Sequence, residues 1–308
     1  MRRILPLLVT PALCAAAGVS AQQSAAPDDA TAQMNRAIAD YRSGDLNHAR
    51  QELSMLHASH PKDVRAAVLL GYTYIQLGRD AEAYDAVASV EKGNESNLDL
   101  EYVLAYAMIR TGRADEGVPR MEKVARTKGT ADAWMIAGTM RFDRKQYHEA
   151  QADVEEAIKI NPKYPGAQTL FGKCRFAFSD NEGAVPAFEA ALRANANDVD
   201  ANLYLGVLRA KEGNYEAASQ LLELALKLQP GLPIAQLELA KVYRSQGNSS
   251  GAIQLLEALT KSDPDWPEPH VILSSLYYIV NRPEDGKRER EIVARLWAQP
   301  PAAGLPKQ

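Results

Sequence analysis

Small residues recur at two positions of a 34-residue period that runs through most of the chain. Repeats begin at residues 30, 64, 98, 131, 165, 199, 233 and 267, with one step of 33 and the others of 34. The eighth position is Ala, Gly or Ser in every repeat, and the twentieth is Ala or Gly. Two helices can approach to the usual interaxial distance of about 8–10 Å only where the side chains at their crossing are small. The pattern therefore predicts two closely crossing antiparallel helices in each repeat.

Apolar residues recur at positions 7, 24 and 27 of most repeats, a spacing that places them on one helical stripe. Turn-forming residues such as Gly78 and Gly112 separate the two predicted helices, and prolines such as Pro162 and Pro230 close several repeats. The third repeat is one residue short near Gly129, so we expect a local irregularity there.

This pattern resembles the tetratricopeptide repeat (TPR) family over residues 30–297. The fourth repeat has the family's characteristic residues at Trp134, Ala137, Gly138, Tyr147, Ala150, Ala157 and Pro162. The resemblance implies an all-α fold: an α-solenoid in which about eight TPR helix pairs form a right-handed superhelix with a concave groove. Residues 22–29 are then predicted to be a flexible linker, and residues 298–308, which are rich in proline, a disordered tail.

The N-terminal segment has the features of a secretory signal peptide. Arg2 and Arg3 precede a short apolar run from Ile4 to Val19, and small residues stand at Val19 and Ala21. We predict removal of residues 1–21 by cleavage after Ala21, a periplasmic or secreted protein, and no transmembrane segment in the mature chain. A retained membrane anchor is one alternative. Acylation at Cys14 is a second, disfavoured because Leu13 stands where a small residue is expected.

Charge and residue usage exclude several kinds of chemistry. The net charge of −4 would become −6 on loss of Arg2 and Arg3, and this acidity argues against nucleic acid as the partner. Cys174 would be the one cysteine left, so no internal disulfide can form. His57 and His60 are three residues apart, but Asp63 is the one further candidate ligand in their repeat, and no catalytic motif is present. We predict no metal, no cofactor and no enzymatic activity.

The resemblance also implies which residues line the groove, because positions 2, 5, 9, 12 and 13 of the first helices form it in the family. The predicted partner-binding residues are Tyr41, Tyr72, Tyr102, Tyr106, Arg110, Phe142, Lys173, Phe176, Lys211, Lys241, Arg244 and Tyr278. The N-terminal half of this set is aromatic and the C-terminal half is basic, which suits an extended peptide with apolar anchors at one end and carboxylates at the other. The alternative is that these are ordinary solvent-facing helix positions.

Position 11 is arginine in three successive repeats, at Arg141, Arg175 and Arg209. One interpretation is a row of bidentate donors for carboxylate or phosphate groups. The other is structural: the arginine stems cover apolar surface, and acids such as Asp143, Glu182 and Glu212 pair with the guanidinium groups.

The predicted function is a non-catalytic protein–protein interaction scaffold of the cell envelope, which binds a partner peptide or protein in the concave TPR groove. A sharper form of this hypothesis is a role in assembling outer-membrane, pilus, secretion or polysaccharide-export machinery. The alternative is a periplasmic TPR protein that binds carbohydrate or a small ligand, because groove aromatics also stack on sugars.

Overall fold

The computed structural model describes residues 29–298. The predicted signal peptide and nearly all of the predicted linker and tail lie outside the described residues. Two boundary residues differ from the prediction, since Asp29 is in the first helix and Ala298 in the last. The described residues divide into two compact units, 29–164 and 165–298. The sequence period continues unchanged through residue 164, so the sequence does not reveal this division.

The described residues form sixteen α-helices, eight in each unit. Those of the first unit are α1 (Asp29–Ser43), α2 (Leu46–Ser59), α3 (Val64–Gln76), α4 (Asp80–Ala88), α5 (Leu98–Arg110), α6 (Ala114–Lys128), α7 (Ala131–Asp143) and α8 (Tyr147–Ile160). Those of the second are α9 (Ala167–Ala177), α10 (Asn181–Ala194), α11 (Val199–Lys211), α12 (Tyr215–Leu228), α13 (Pro233–Ser245), α14 (Ser249–Ser262), α15 (Pro267–Ile279) and α16 (Pro283–Ala298).

Within each unit the helices stack in chain order. Each odd-numbered helix, the first helix of a repeat, packs against the even-numbered second helix that follows it, and each second helix packs against the next first helix. First helices of neighbouring repeats also contact each other, as α3 does α5 and α11 does α13. The predicted all-α solenoid is confirmed over the described residues.

The two small positions lie where the helices of a repeat cross. A Cβ atom added to Gly117, at position 20, would lie 2.7 Å from the carbonyl oxygen of Ala105 at position 8 of the same repeat. A Cβ atom on Gly172 would lie 2.8 Å from the ring of Phe188. Phe188, Leu222 and Leu256, all at position 24, are fully buried beside these crossings. The small residues therefore set the distance at which each repeat forms its core.

We expect Gly117→Ala to destabilise the protein by roughly 1–3 kcal/mol, because overpacking a close contact forces the backbone to move. The loss should appear although alanine is favoured over glycine in a helix interior by about 1 kcal/mol. Urea denaturation followed by circular dichroism would measure it. A variant as stable as the parent would show that this crossing is not at its contact limit.

The turn between the two helices of each repeat places its fifteenth residue in the left-handed region. Five of these residues are glycine, including Gly213, whereas Lys145, Ser179 and Asn281 adopt φ angles of 62°, 61° and 59°. Non-glycine residues in this conformation cost about 1–2 kcal/mol, and asparagine tolerates it better than most. Three repeats therefore carry backbone strain that the sequence pattern does not reveal.

We expect Ser179→Gly to raise the free energy of unfolding by up to about 1 kcal/mol, since relief of the strain exceeds the entropic cost of glycine. The reverse change in the next repeat, Gly213→Ser, should lower it by a similar amount. Thermal and urea denaturation of both variants measure this. Equal stabilities of the two variants would contradict a common turn geometry.

The stack is irregular around the repeat with the short step. Helix α4 has only nine residues, and the segment that joins it to α5 turns at Gly93 with φ of 87°. Helix α6 ends at Gly129, which is left-handed and donates its N–H to the carbonyl of Ala125. The irregularity expected from the period is present at both ends of the third repeat.

Candidate interaction surface

Positions 2, 5, 9, 12 and 13 of the first helices define a surface in each compact unit, here called the first-helix surface. First helices α3, α5 and α7 in the first unit, and α9, α11 and α13 in the second, contact their neighbours, so the same positions of these successive repeats lie side by side. The residues predicted to bind a partner are all on this surface. They differ in how much of each side chain a partner could reach.

Three of the predicted tyrosines come together in the first unit. The rings of Tyr72 and Tyr102 are 5.7 Å apart between centroids, and those of Tyr102 and Tyr106 are 6.4 Å apart. The Tyr72 hydroxyl donates to Asp99 at 3.4 Å, and the Tyr102 hydroxyl donates to Asp132. Tyr102, Asp99 and Asp132 thus tie three consecutive repeats together through side-chain hydrogen bonds.

These tyrosines are more enclosed than the sequence interpretation assumed. Tyr72, Tyr102 and Tyr106 are only 4–6% exposed, because their rings fill the space between first helices in direct contact. Burial raises the pKa of all three hydroxyls, and the negative charges of Asp99 and Asp132 add to the effect at Tyr72 and Tyr102. They therefore remain protonated hydrogen-bond donors, and they offer a partner little ring surface.

The sequence contained a signal for this cluster that the groove positions alone do not show. Asp99 and Asp132 both stand at position 2 of their repeats, one repeat beyond the tyrosines that they bind. Tyr164, the last residue of the fourth repeat, also donates to Asp132, at 2.7 Å. A carboxylate at position 2 after a tyrosine at position 5 or 9 indicates a hydrogen bond between repeats.

The remaining predicted residues of the first unit are half-buried. Tyr41 packs at the edge of the first core cluster, and burial raises the pKa of its hydroxyl. Arg110 pairs with Asp80, with Nε 3.2 Å from the carboxylate. The Phe142 ring lies 5.2 Å from the ring of Tyr147.

In the second unit, two of the predicted cations are neutralised by carboxylates of the chain. Lys173 pairs with Asp200 at 3.1 Å, and Lys241 pairs with both Glu238 and Glu268 at 2.8 Å. Asp200 and Glu268 stand at position 2 of the following repeats, as Asp99 does in the first unit. The basic character expected of this half is therefore smaller than its lysines suggest.

Unlike Lys173 and Lys241, the cations Lys211 and Arg244 are not neutralised by a carboxylate of the described residues. Both are exposed, and neither forms an ion pair with any residue in the described part of the chain. The Lys211 ammonium lies 4.7 Å from the ring centre of half-buried Phe176. Tyr278 is 39% exposed, with the Arg290 guanidinium 4.4 Å from its ring centre. These are the predicted site residues of the second unit that remain open to a partner.

The position-11 arginines are engaged by carboxylates of the chain. Arg141 contacts both Asp153, at 2.7 Å, and Glu122, at 3.0 Å. The others form pairs at 2.5–2.7 Å: Arg175 with Asp180, and Arg209 with Glu189 and Glu212. Of these partners the sequence interpretation had named only Glu212. An external phosphate or carboxylate would have to displace these groups, so the geometry favours the structural interpretation.

A recurring bond between repeats explains what position 11 does. The position-11 side chain reaches the glutamate at position 25 of the preceding repeat, through Arg141–Glu122, Arg209–Glu189, Tyr243–Glu223 and Tyr277–Glu257. The two tyrosine hydroxyls donate at 3.0 and 2.7 Å, and burial together with Glu257 raises the pKa of Tyr277 to about 12. The period shows these glutamates at position 25, but it does not show that they pair with position 11 of the next repeat.

Two clefts lie on the side of the second helices, away from the first-helix surface. One of about 650 Å³ is bordered by α6, α7 and α8, with Trp134, Arg141 and Asp153 in its lining. The other, of about 440 Å³, is bordered by α14, α15 and α16. There the buried His270 contacts Glu289 at 2.5 Å and the carbonyl oxygen of Pro264 at 3.0 Å. In both clefts the buried polar groups bind other groups of the chain.

Asp153 is the buried acid of the larger cleft, only 2% exposed. Burial raises its pKa from 3.8 to about 6, against the opposing charge of Arg141. Between these two values the folded protein holds a proton that the unfolded chain has released. Linkage therefore requires the contribution of Asp153 to stability to fall as the pH rises from about 4 to about 6, and to level off above that.

We expect Asp153→Asn to remove this pH dependence, because the amide does not titrate. The change in unfolding free energy between pH 4 and pH 7 should differ between parent and variant by up to about 3 kcal/mol. Urea denaturation of both proteins across this range measures the difference. Parallel pH profiles would show that Asp153 has an ordinary pKa in the folded protein.

Two further searches cover the described residues only. Within residues 29–298, no three His, Cys, Asp or Glu side chains are arranged to hold a metal ion. None of the helices in this range is sufficiently long and apolar to span a lipid bilayer.

Comparison with known families identifies the repeat. Sequence models of the tetratricopeptide repeat match residues 35–96 and 170–233, residues 131–164, and residues 209–276. The chain belongs to the tetratricopeptide repeat family. Proteins of this family are generally non-catalytic scaffolds for protein interaction. A search of curated proteins finds no match.

Solved structures share the fold at low sequence identity. The chain is similar to PilF of Pseudomonas aeruginosa, with 20% identity, a TM-score of 0.60, and 66% of this chain and 93% of that chain covered. A tetratricopeptide repeat protein from Parabacteroides merdae has 15% identity and a TM-score of 0.54, over 75% and 97% of the two chains. YrrB, described as having an unusual peptide-binding site, has 19% identity and a TM-score of 0.50, over 60% and 95%.

Proposed function

We propose that this protein is a non-catalytic protein–protein interaction scaffold of the cell envelope, exported by cleavage after Ala21. The observation that carries the binding role is the first-helix surface, where successive repeats present side chains in register. The N-terminal signal pattern supports the location, with its two arginines, short apolar run and small residues before Gln22. A role in assembling outer-membrane, pilus, secretion or polysaccharide-export machinery is the sharper form of this proposal.

A peptide or extended protein segment suits this surface as ligand. Side chains at the same positions of stacked repeats form a linear series, which matches the geometry of an extended chain. YrrB is described as having a peptide-binding site, so a fold of this kind is able to carry one. Arg141, Asp153 and His270 bind other groups of the helix stack, which supports a non-catalytic role.

Carbohydrate binding has less support from the geometry. Sugar stacking needs an open aromatic face, whereas the rings of Tyr72, Tyr102 and Tyr106 are buried between helices. Tyr278 is the predicted aromatic residue with an exposed side chain, and Arg290 lies against its ring. We therefore advance the protein scaffold as the proposed function.

A photo-crosslinking amino acid placed at exposed first-helix positions, Gln76 and Arg244, should capture the same envelope proteins in living cells. The same amino acid at exposed second-helix positions, Arg193 and Lys227, is the matched control and should not capture them. Mass spectrometry identifies the adducts. Equal capture from both surfaces, or glycan adducts without protein, would contradict a protein-binding first-helix surface.

Export predicts a mature N-terminus at Gln22 when the full chain is expressed in a bacterial host. Ala21→Arg should block processing, because the peptidase requires a small residue there, and leave a product longer by residues 1–21. Ala25→Arg, beyond the cleavage site, is the control and should be processed normally. Intact mass and N-terminal sequencing decide the outcome. A wild-type protein that retains Met1 would refute the cleavage.

A further inference from the structure

We propose that the second unit binds an acidic segment of a protein partner through Lys211 and Arg244, with Phe176 and Tyr278 as apolar contacts beside them. These four residues are here called the cationic strip. The inference rests on the proposed function, since it names the chemistry of the partner that the first-helix surface takes.

The first argument concerns which cations of this unit are already neutralised. Lys173, Arg175, Arg209 and Lys241 all pair with carboxylates of the chain at 2.5–3.1 Å. Lys211 and Arg244 form no ion pair with the described residues, although each helix carries one acid, Asp200 in α11 and Glu238 in α13. Their charge is therefore available to an external anion.

A position at the end of a helix does not by itself single out Lys211 and Arg244 from other exposed cations. Lys211 and Arg244 are in the last turns of α11 and α13, where a cation stabilises the helix dipole. Arg193 and Lys227 occupy the same place in α10 and α12 and are also exposed. What distinguishes Lys211 and Arg244 is that they lie on the first-helix surface, at positions 13 and 12.

Two aromatic residues add apolar surface beside the charges of Lys211 and Arg244. The Phe176 ring lies beneath the Lys211 ammonium, 4.7 Å from ring centre to nitrogen, one repeat before it. Tyr278, one repeat after Arg244, is 39% exposed, with the Arg290 guanidinium 4.4 Å from its ring centre. The strip thus runs aromatic, cation, cation, aromatic over four successive repeats. A ligand carboxylate bound to Lys211 would have Phe176 in the preceding repeat beside it. A carboxylate bound to Arg244 would have Tyr278 in the following repeat.

The spacing of the helices sets the spacing of the ligand's charges. Helices α11 and α13 are in contact, and packed helices lie about 8–10 Å apart. A peptide in the polyproline II conformation advances about 3.1 Å per residue and has three residues per turn, so every third side chain faces the same way. Carboxylates roughly three residues apart would therefore meet Lys211 and Arg244, with aromatic or aliphatic side chains on either side. The net charge is −4 for the full chain and −6 without residues 1–21, so the overall field opposes an anionic ligand and local cations such as Lys211 and Arg244 must supply the attraction.

The test uses a fluorescein-labelled peptide with glutamate at every third position and phenylalanine near both ends. The matched probe has glutamine in place of glutamate. Fluorescence anisotropy with the protein, as processed by the host, measures both affinities. We expect the glutamate peptide to bind more tightly, with an affinity that falls as sodium chloride is added.

The decisive variant is Lys211→Gln with Arg244→Gln. It should weaken binding of the glutamate peptide by about 3- to 30-fold, the range for two exposed charge contacts. Arg193→Gln with Lys227→Gln removes the same charge from equivalent helix turns and should leave the affinity unchanged. Circular dichroism melting of both variants confirms that each remains folded.

Three results would overturn the inference: no binding of the glutamate peptide, equal binding of the glutamine peptide, or equal losses in the two double variants. The proposed function is tested separately. Crosslinks from Gln76, in the first unit, report partner binding without involving the strip. Capture of envelope proteins there together with failure of the acidic probe would leave the scaffold standing and reject the acidic ligand.

Discussion

The close crossing of two helices in each repeat is the contact on which the rest of this structure depends. Small residues at positions 8 and 20 bring the backbones together until, at Gly117 and Ala105, an added Cβ atom would lie 2.7 Å from a carbonyl oxygen. That approach lets the residues at position 24, such as Phe188 and Leu222, fill the space beside the crossing completely. Because the repeats meet the same constraint at their crossings, their helix pairs have similar shapes and stack on one another.

Polar bonds between neighbouring repeats then add specificity to the stack. Position 9 reaches the carboxylate at position 2 of the next repeat, as in Tyr72–Asp99 and Lys241–Glu268. Position 11 reaches the glutamate at position 25 of the preceding repeat, as in Tyr277–Glu257. These bonds engage five of the residues that a reading of the sequence assigns to ligands: Tyr72, Lys173, Lys241, Arg141 and Arg209. What remains for a partner is the smaller set of side chains that no neighbouring repeat engages.

The sequence therefore predicted where the candidate site residues lie, but not which of their side chains a partner can reach. The family pattern placed Tyr102 and Lys173 on the first-helix surface, which is where they lie, yet Tyr102 is buried and Lys173 is paired with Asp200. Exposure depends on how closely the next first helix packs, and pairing depends on a residue some 27 positions away in the chain. The same holds for Arg141, whose partners Glu122 and Asp153 come from two different helices. Local sequence does not encode these distances.

The sequence by itself determined the repeat, the helix pairs, their small crossing residues, the solenoid and the family, because each follows from a period that is local and repeated. It also indicated the irregular third repeat, and it predicts a removable N-terminal segment. Only the tertiary structure decided the division into two compact units, the burial of the tyrosines and the partners of the arginines. It likewise singled out Lys211 and Arg244 as exposed cations without an ion pair among residues 29–298. Those properties arise from contacts between repeats, where the identity of a facing residue, and not the period, determines whether a charge is neutralised.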